Sequence, residues 1–153
     1  DGGTRTPIMV RWTGKVKPAI STTPVSSIDM VPTVLHALDM KPTADMRGLN
    51  LLDQEAINAR KFIYGEIFLH NAVDTLDPGK NLTYRWGIEG GWKLILPHNE
   101  NVTTRAAKGA KGDGAIELYH LTKDPHETKN LAKQNPAKVA HLRKLINAEW
   151  DGK

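Results

Sequence analysis

Two aromatic-rich, β-prone runs meet at a Gly-Gly step in "NLTYRWGIEGGWKLILPH", residues 81–98. No other stretch constrains the fold as much. Glycine accepts positive φ at little steric cost, so Glu89-Gly90-Gly91 suits the tight turn of an antiparallel hairpin. A lone hairpin is marginal in water and needs more strands or a helix to cover a face. Two segments supply strands: "KFIYGEIFLH" before the hairpin and "IELYHL" after it. Between them "NENVTTRAAKGAKGDGA" is glycine-rich, polar and without period, which reads as a loop, and "KDPHETKNLA" reads as a turn. The chain then ends on a helix. Asn135 stands at its cap, Pro136 takes its first position, and Val139, Leu142, Ile146 and Trp150 line one face. Residues 61–153 are thus expected to form a small α+β subdomain, with an antiparallel sheet of about four strands packed on a C-terminal helix.

The period is different before that point. Ile8, Met9, Val10 and Trp12 make a short apolar run between Pro7 and Gly14. A run without alternation suits a strand covered on both faces, as in a parallel α/β sheet. "VKPAISTTPVS" follows as a proline-marked loop, and "SSIDMVPTVLHALDM" as a helix. There Asp29 caps the free backbone donors, Pro32 falls in the first turn, and Ile28, Val31, Val34, Leu35 and Leu38 recur at helical spacing. His36 lies off that stripe and reads as solvated. Residues 1–53 are therefore expected to be an α/β piece, with the boundary falling between 53 and 61.

Composition excludes several classes. The 153 residues contain no cysteine, which removes disulfides, thiolate metal sites and cysteine nucleophiles together. A hydrophobic fraction of 39% and a charged fraction of 25% are those of a soluble globular protein, and no apolar run is long enough to span a bilayer. The net charge of +4 is scattered among acids, so a mixed solvated surface is expected and nucleic acid is not a predicted partner. His98, His120, His126 and His141 have no metal-ligand spacing among them.

Five segments occur in a telling order: "DGGTRTPIMVRWTGKVKPA", "SSIDMVPTVLHALDM", "RGLNLL", "GGWKLI" and "ELYHLTKDPHETKNLA". Together they resemble the C-terminal third of the type I, formylglycine-dependent sulfatases (the arylsulfatase family). That family shows E/D-G-G-x-R-x-P before an inner strand and S-x-x-D-x-x-P-T-x-L in the helix behind it. A W-K-L-I strand and an E-L-Y-D-L-x-x-D-P-x-E-x-x-N-L signature follow. The departures are Asp1 in place of the usual glutamate and His120 in place of the usual aspartate. The likeness implies the tail of an alkaline-phosphatase-like α/β fold followed by the small α+β subdomain.

What the resemblance implies chemically lies mostly outside these residues. Sulfatases hydrolyse sulfate monoesters with a formylglycine made in a C/S-x-P/A-x-R motif, while a divalent ion, usually calcium, holds the sulfate oxygens. None of Ser21, Ser26 and Ser27 has an arginine four residues on. No catalytic or metal residue is therefore assigned to this chain, which alone is expected to be inactive. Its partner is expected to be the upstream catalytic domain of one polypeptide, periplasmic or secreted, that carries the calcium and the formylglycine. Because the other strands of the parallel sheet are absent, residues 8–12 are also expected to promote self-association.

Candidate contacts remain. In "FLHNAVDTLDPGKNLTYRWG", His70, Tyr84, Arg85 and Trp86 are candidates for binding a sulfated small molecule or glycan, with charge for the anion and flat rings for the sugar. The alternative is an ordinary strand with an aromatic pair. Gly2, Gly3 and Arg5 are candidates for a turn beside the active centre, or for tying that turn to neighbouring backbone. Asp124, Glu127 and Asn130 read as a turn closed by hydrogen bonds to backbone. Trp92, Lys93, Leu94 and Ile95 read as strand core with one exposed cation. A free-standing glycan- or anion-binding module, or the tail of a related phosphodiesterase or phosphonate hydrolase, are the alternative functions.

Overall fold

The computed structural model describes residues 4–98 and 115–150, and the chain divides into two compact units, Asp1–Ile63 and Tyr64–Lys153.

In the first unit the expected strand over residues 8–12 is not formed. Met9 is 88% exposed and Val10 is exposed as well. A strand exists only as a member of a ladder, and among the described residues nothing pairs with this run. A one-turn 3-10 segment, Ser27–Asp29, leads into α1, Met30–Ala37. Asp29 does not cap α1 with its side chain. Its carboxylate is buried, accepting the amide hydrogens of Ser26 and Leu49 at 2.8 Å each and a two-pronged donation from Arg60 at 2.6 and 2.7 Å. Thr33 extends the anchor. Its hydroxyl donates to the Asp29 carbonyl at 2.6 Å and accepts from the Leu51 amide at 2.8 Å. Gly48 passes so close that a β-carbon there would lie 2.0 Å from the Ile28 carbonyl oxygen, so the close approach requires glycine.

This anchor decides which way α1 faces, and it overturns the expected apolar stripe. Asp29, Pro32 and Thr33 are the buried positions, while Ile28, Val31, Val34 and Leu38 are exposed. A polar edge can be buried only where its groups are paired, and Asp29 and Thr33 meet that condition. His36 is exposed, as expected. A second short helix, α2 (Gln54–Ala59), is capped by the Asp53 carboxylate, which accepts from the Ala56 amide at 3.0 Å.

In the second unit four strands lie in sequence order: β1 (Phe62–Phe68, which begins before the division), β2 (Leu82–Glu89), β3 (Trp92–Pro97) and β4 (Glu117–His120). The β2–β3 and β3–β4 pairs are antiparallel. Glu89 pairs with Trp92 across Gly90 and Gly91, whose φ values of 55° and 79° are those of a two-residue hairpin turn. Helix α3 (Pro136–Glu149) opens with proline in its first turn and buries Leu142 and Ile146. Asn135 precedes it, but its side chain donates back to the Leu131 carbonyl at 3.0 Å instead of capping the helix.

The register sorts the sheet into two faces. Arg85, Leu94, Leu96 and Leu118 share one face, which meets α3 through Arg85. Leu94 and Leu118 are completely buried there, and each such side chain is worth roughly 1.5–3 kcal/mol. Tyr84, Trp86, Lys93, Ile95 and Tyr119 share the other.

Candidate functional site

The loop between β1 and β2 is built around Asn81, which the 3-10 turn Pro78–Asn81 delivers to the start of β2. Asn81 is buried, and its carbonyl accepts from the Leu69 amide at 2.7 Å, joining the two ends of the loop. Its side chain accepts from the Val73 and Asp74 amides at 2.6 and 3.1 Å and donates to the carbonyls of Asp74 and Asp77. Asp74 accepts from the Leu76 amide and from the Lys80 ammonium, both at 2.9 Å. Those two bonds hold the Asp74 carboxyl below the usual carboxylate range, the lysine contact contributing most. The outward side of the loop carries His70, Asn71, Val73 and Leu76, the last 94% exposed.

The four predicted contact residues are not brought together. His70 is exposed on the loop, Tyr84 and Trp86 lie on one face of β2, and Arg85 lies on the other. Arg85 is 8% exposed, and its Nη1 donates to Asn147 Oδ1 at 2.9 Å and to the Trp150 carbonyl at 2.6 Å. A cation against the last carbonyls of a helix is favourably placed, so this guanidinium ties β2 to the end of α3. Phe68 stacks on Trp150 beside it, with ring centres 6.1 Å apart. Arg85→Ala should therefore lower the stability of the second unit by about 1.5–3 kcal/mol, the range for hydrogen bonds to a charged group. Thermal melting checks this, and an unchanged Tm would return Arg85 to solvent-facing work.

The opposite face holds what the sequence reading missed. Lys93, expected to be exposed, is 4% exposed. Its ammonium is 2.9 Å from a Glu127 carboxylate oxygen and 5.7 Å from the centre of the Trp86 ring. The Glu127 amide donates to the Asp124 carbonyl at 3.1 Å, so its backbone takes part in closing the turn. Glu127 stands at φ 54° with its side chain directed to Lys93. Asp124 closes the turn further, accepting from the Thr128 and Lys129 amides at 2.8 and 2.9 Å, and Asn130 accepts from the Leu118 and Ala132 amides and donates to the Ile116 carbonyl, as expected. Burial raises the Tyr119 hydroxyl well above its ordinary pKa, and its hydrogen bond to Glu117 adds to that. Trp86 lies flat over Gly65, where a β-carbon would come within 2.6 Å of the ring. Strand alternation is the signal that could have found Lys93, since it puts that residue level with Trp86 and Tyr119.

Arg5 is exposed, and Gly2 and Gly3 lie outside the described residues. Among the described residues no group of three or more His, Asp or Glu side chains could hold a metal ion. His141 is 2.7 Å from Glu89, and His120 sits edge-on to Trp92 with ring centres 4.6 Å apart. No helix of the described residues is long and apolar enough to cross a membrane.

No family model matches the chain. It is 30% identical over 97% of its length to an N-acetylgalactosamine-6-O-sulfatase of Bacteroides thetaiotaomicron, and 28% identical over 95% to an ulvan-active sulfatase of Formosa agariphila. The chain spans only 28% and 32% of the length of those two relatives. A solved structure described under the metabolism of multiple glycosaminoglycans by Bacteroides thetaiotaomicron, labelled 6S-sulf, superimposes with a TM-score of 0.64 at 25% identity, covering 90% of this chain and 27% of that one. Another, of a protein in complex with its substrate D-glucosamine-2-N,6-O-disulfate, gives a TM-score of 0.54 at 18% identity over 81% of this chain and 23% of that one, a likeness of fold.

Proposed function

We propose, from the premise that this chain is sulfatase-like over nearly its whole length, that it is the C-terminal region of an enzyme hydrolysing sulfate monoesters of sulfated carbohydrates. The observation that carries this is the likeness to two glycan sulfatases, which it matches from end to end while spanning under a third of each. In this reading the formylglycine and the calcium belong to the upstream catalytic domain of the parent, which is periplasmic or secreted. This chain holds no cysteine and no C/S-x-P/A-x-R serine, so no chemical step is assigned to its residues.

Its contribution is shape. The loop of residues 69–81 presents His70 and Asn71 for hydroxyl or sulfate oxygens, and Val73 and Leu76 for the apolar face of a sugar ring. Arg85, engaged at α3, supports the scaffold rather than the substrate. The purified chain should release no sulfate from an aryl sulfate or a sulfated oligosaccharide, with or without added calcium, whereas the full-length parent should act on the oligosaccharide. Turnover by the chain alone, above a heat-killed control, would overturn the proposal.

A further inference from the structure

We infer that Asn81 is a positioning residue that presets the outward face of the β1–β2 loop for a sugar ring, an inference resting on the reading that this loop faces the glycan. A primary amide offers two donor hydrogens and two acceptor lone pairs. Asn81 uses all four within one loop: its oxygen takes the Val73 and Asp74 amides, and its nitrogen reaches the Asp74 and Asp77 carbonyls. One buried side chain therefore fixes the backbone from Val73 to Asp77, the stretch that carries the exposed Val73 and Leu76. The backbone that carries these exposed apolar side chains is held before anything touches them. A ring settling on Val73 and Leu76 then meets a loop whose backbone ordering entropy is already lost in the free protein.

The same geometry disposes of the Asn81-Leu82-Thr83 sequon. Its amide nitrogen is engaged and its Thr83 hydroxyl donates to the Ile67 carbonyl at 2.6 Å, so the motif is scaffold and not a glycan acceptor.

The test compares Asn81→Ala, Asn81→Asp and Leu76→Ser in the full-length protein. It reads amide exchange at residues 73–77, Tm, and steady-state constants on a sulfated oligosaccharide and on a small aryl sulfate. Asn81→Ala should speed exchange of the Val73 and Asp74 amides and raise the oligosaccharide KM by about tenfold, leaving kcat and both aryl sulfate constants within about twofold. Asn81→Asp keeps an acceptor for the Val73 and Asp74 amides but sets a buried carboxylate oxygen against the Asp74 and Asp77 carbonyls, so it should loosen the loop at least as much as Ala. Leu76→Ser should raise the same KM without loosening the loop. A looser loop with unchanged KM in Asn81→Ala, beside a raised KM in Leu76→Ser, would overturn the positioning role and leave the substrate-facing reading intact. Unchanged KM in both would sink that reading as well. Equal losses on both substrates with a lower Tm would make Asn81 purely structural.

Discussion

Arg60→Ala should unfold the first unit under conditions where the wild type keeps it, at a cost of about 3–5 kcal/mol, the range for stranding one partner of a buried ion pair. Such a loss is a large fraction of the ~5–15 kcal/mol that holds a whole domain together. The Asp29 side chain has no exposed surface, and Arg60 meets both of its oxygens. Without the guanidinium the carboxylate keeps the Ser26 and Leu49 amides but loses the cation that meets both of its oxygens. Asp29→Asn should cost less, because the stranded group is then an arginine at the end of a flexible stem, with 11% of its side chain exposed and able to turn its head toward water. Amide exchange at Leu49 and Leu51 reads the unit directly, and unchanged protection in Arg60→Ala would refute the anchor.

The pair also gives this unit an acid limit. Burial by itself would raise the Asp29 pKa, but the Arg60 hydrogen bonds and the two amides outweigh it, leaving the folded value below the ordinary one. A carboxyl held lower in the folded state stabilises fully above its unfolded pKa, near 3.9, and loses that contribution as pH falls through the folded value. Protection at Leu49 should therefore hold from neutrality to about pH 4 and collapse below it.

The second unit was far more legible in the sequence than the first, for a physical reason. The Gly90-Gly91 turn, the Pro136 helix start and the alternation in β2 and β3 are encoded by neighbours a few residues apart. The run at residues 8–12 encodes burial but not the strand that would pair with it, so its apolar character says nothing about whether a ladder forms. α1 misled differently: Ile28, Val31, Val34 and Leu38 have helical spacing, but the anchor comes from Gly48, Leu49 and Arg60, which no local period foretells. Arg85 between Tyr84 and Trp86 looked outward-facing. Alternation assigns it to the face opposite those two rings, and that face is the one α3 covers. The family motif carried what patterning could not, since Asp29, Asp124 and Asn130 prove to be the hydrogen-bonding centres of its S-x-x-D and D-P-x-E-x-x-N segments.

Lys93→Ala should be among the most damaging single changes in the second unit, again about 3–5 kcal/mol, and a double-mutant cycle with Glu127→Gln shows why. Both groups are nearly buried, with side-chain exposures of 5% and 11%, and their atoms meet at 2.9 Å. Removing the ammonium takes the 2.9 Å cation away from a nearly buried Glu127 held at φ 54°, a conformation that itself costs free energy in a residue other than glycine. The turn of residues 124–130 should then loosen around Glu127, although the Asp124 carboxylate still closes it and Asn130 still ties its end to Leu118 of β4. Lys93→Met keeps the packing over Trp86 but removes the same ion pair, so it should recover only part of the loss. Combining Lys93→Met with Glu127→Gln removes both charges at once and should cost clearly less than the two single changes added together. Burial opposes ionisation of Glu127, yet the Lys93 contact keeps its carboxyl below the ordinary range, so this stabilisation is present at neutral pH and is lost as pH falls through the folded value. Urea unfolding at pH 7 and pH 3 measures all four proteins. Additive costs at pH 7 would mean that the two side chains act independently, and that burial of Lys93 by Trp86 and Tyr119, not the ion pair, is what the fold requires.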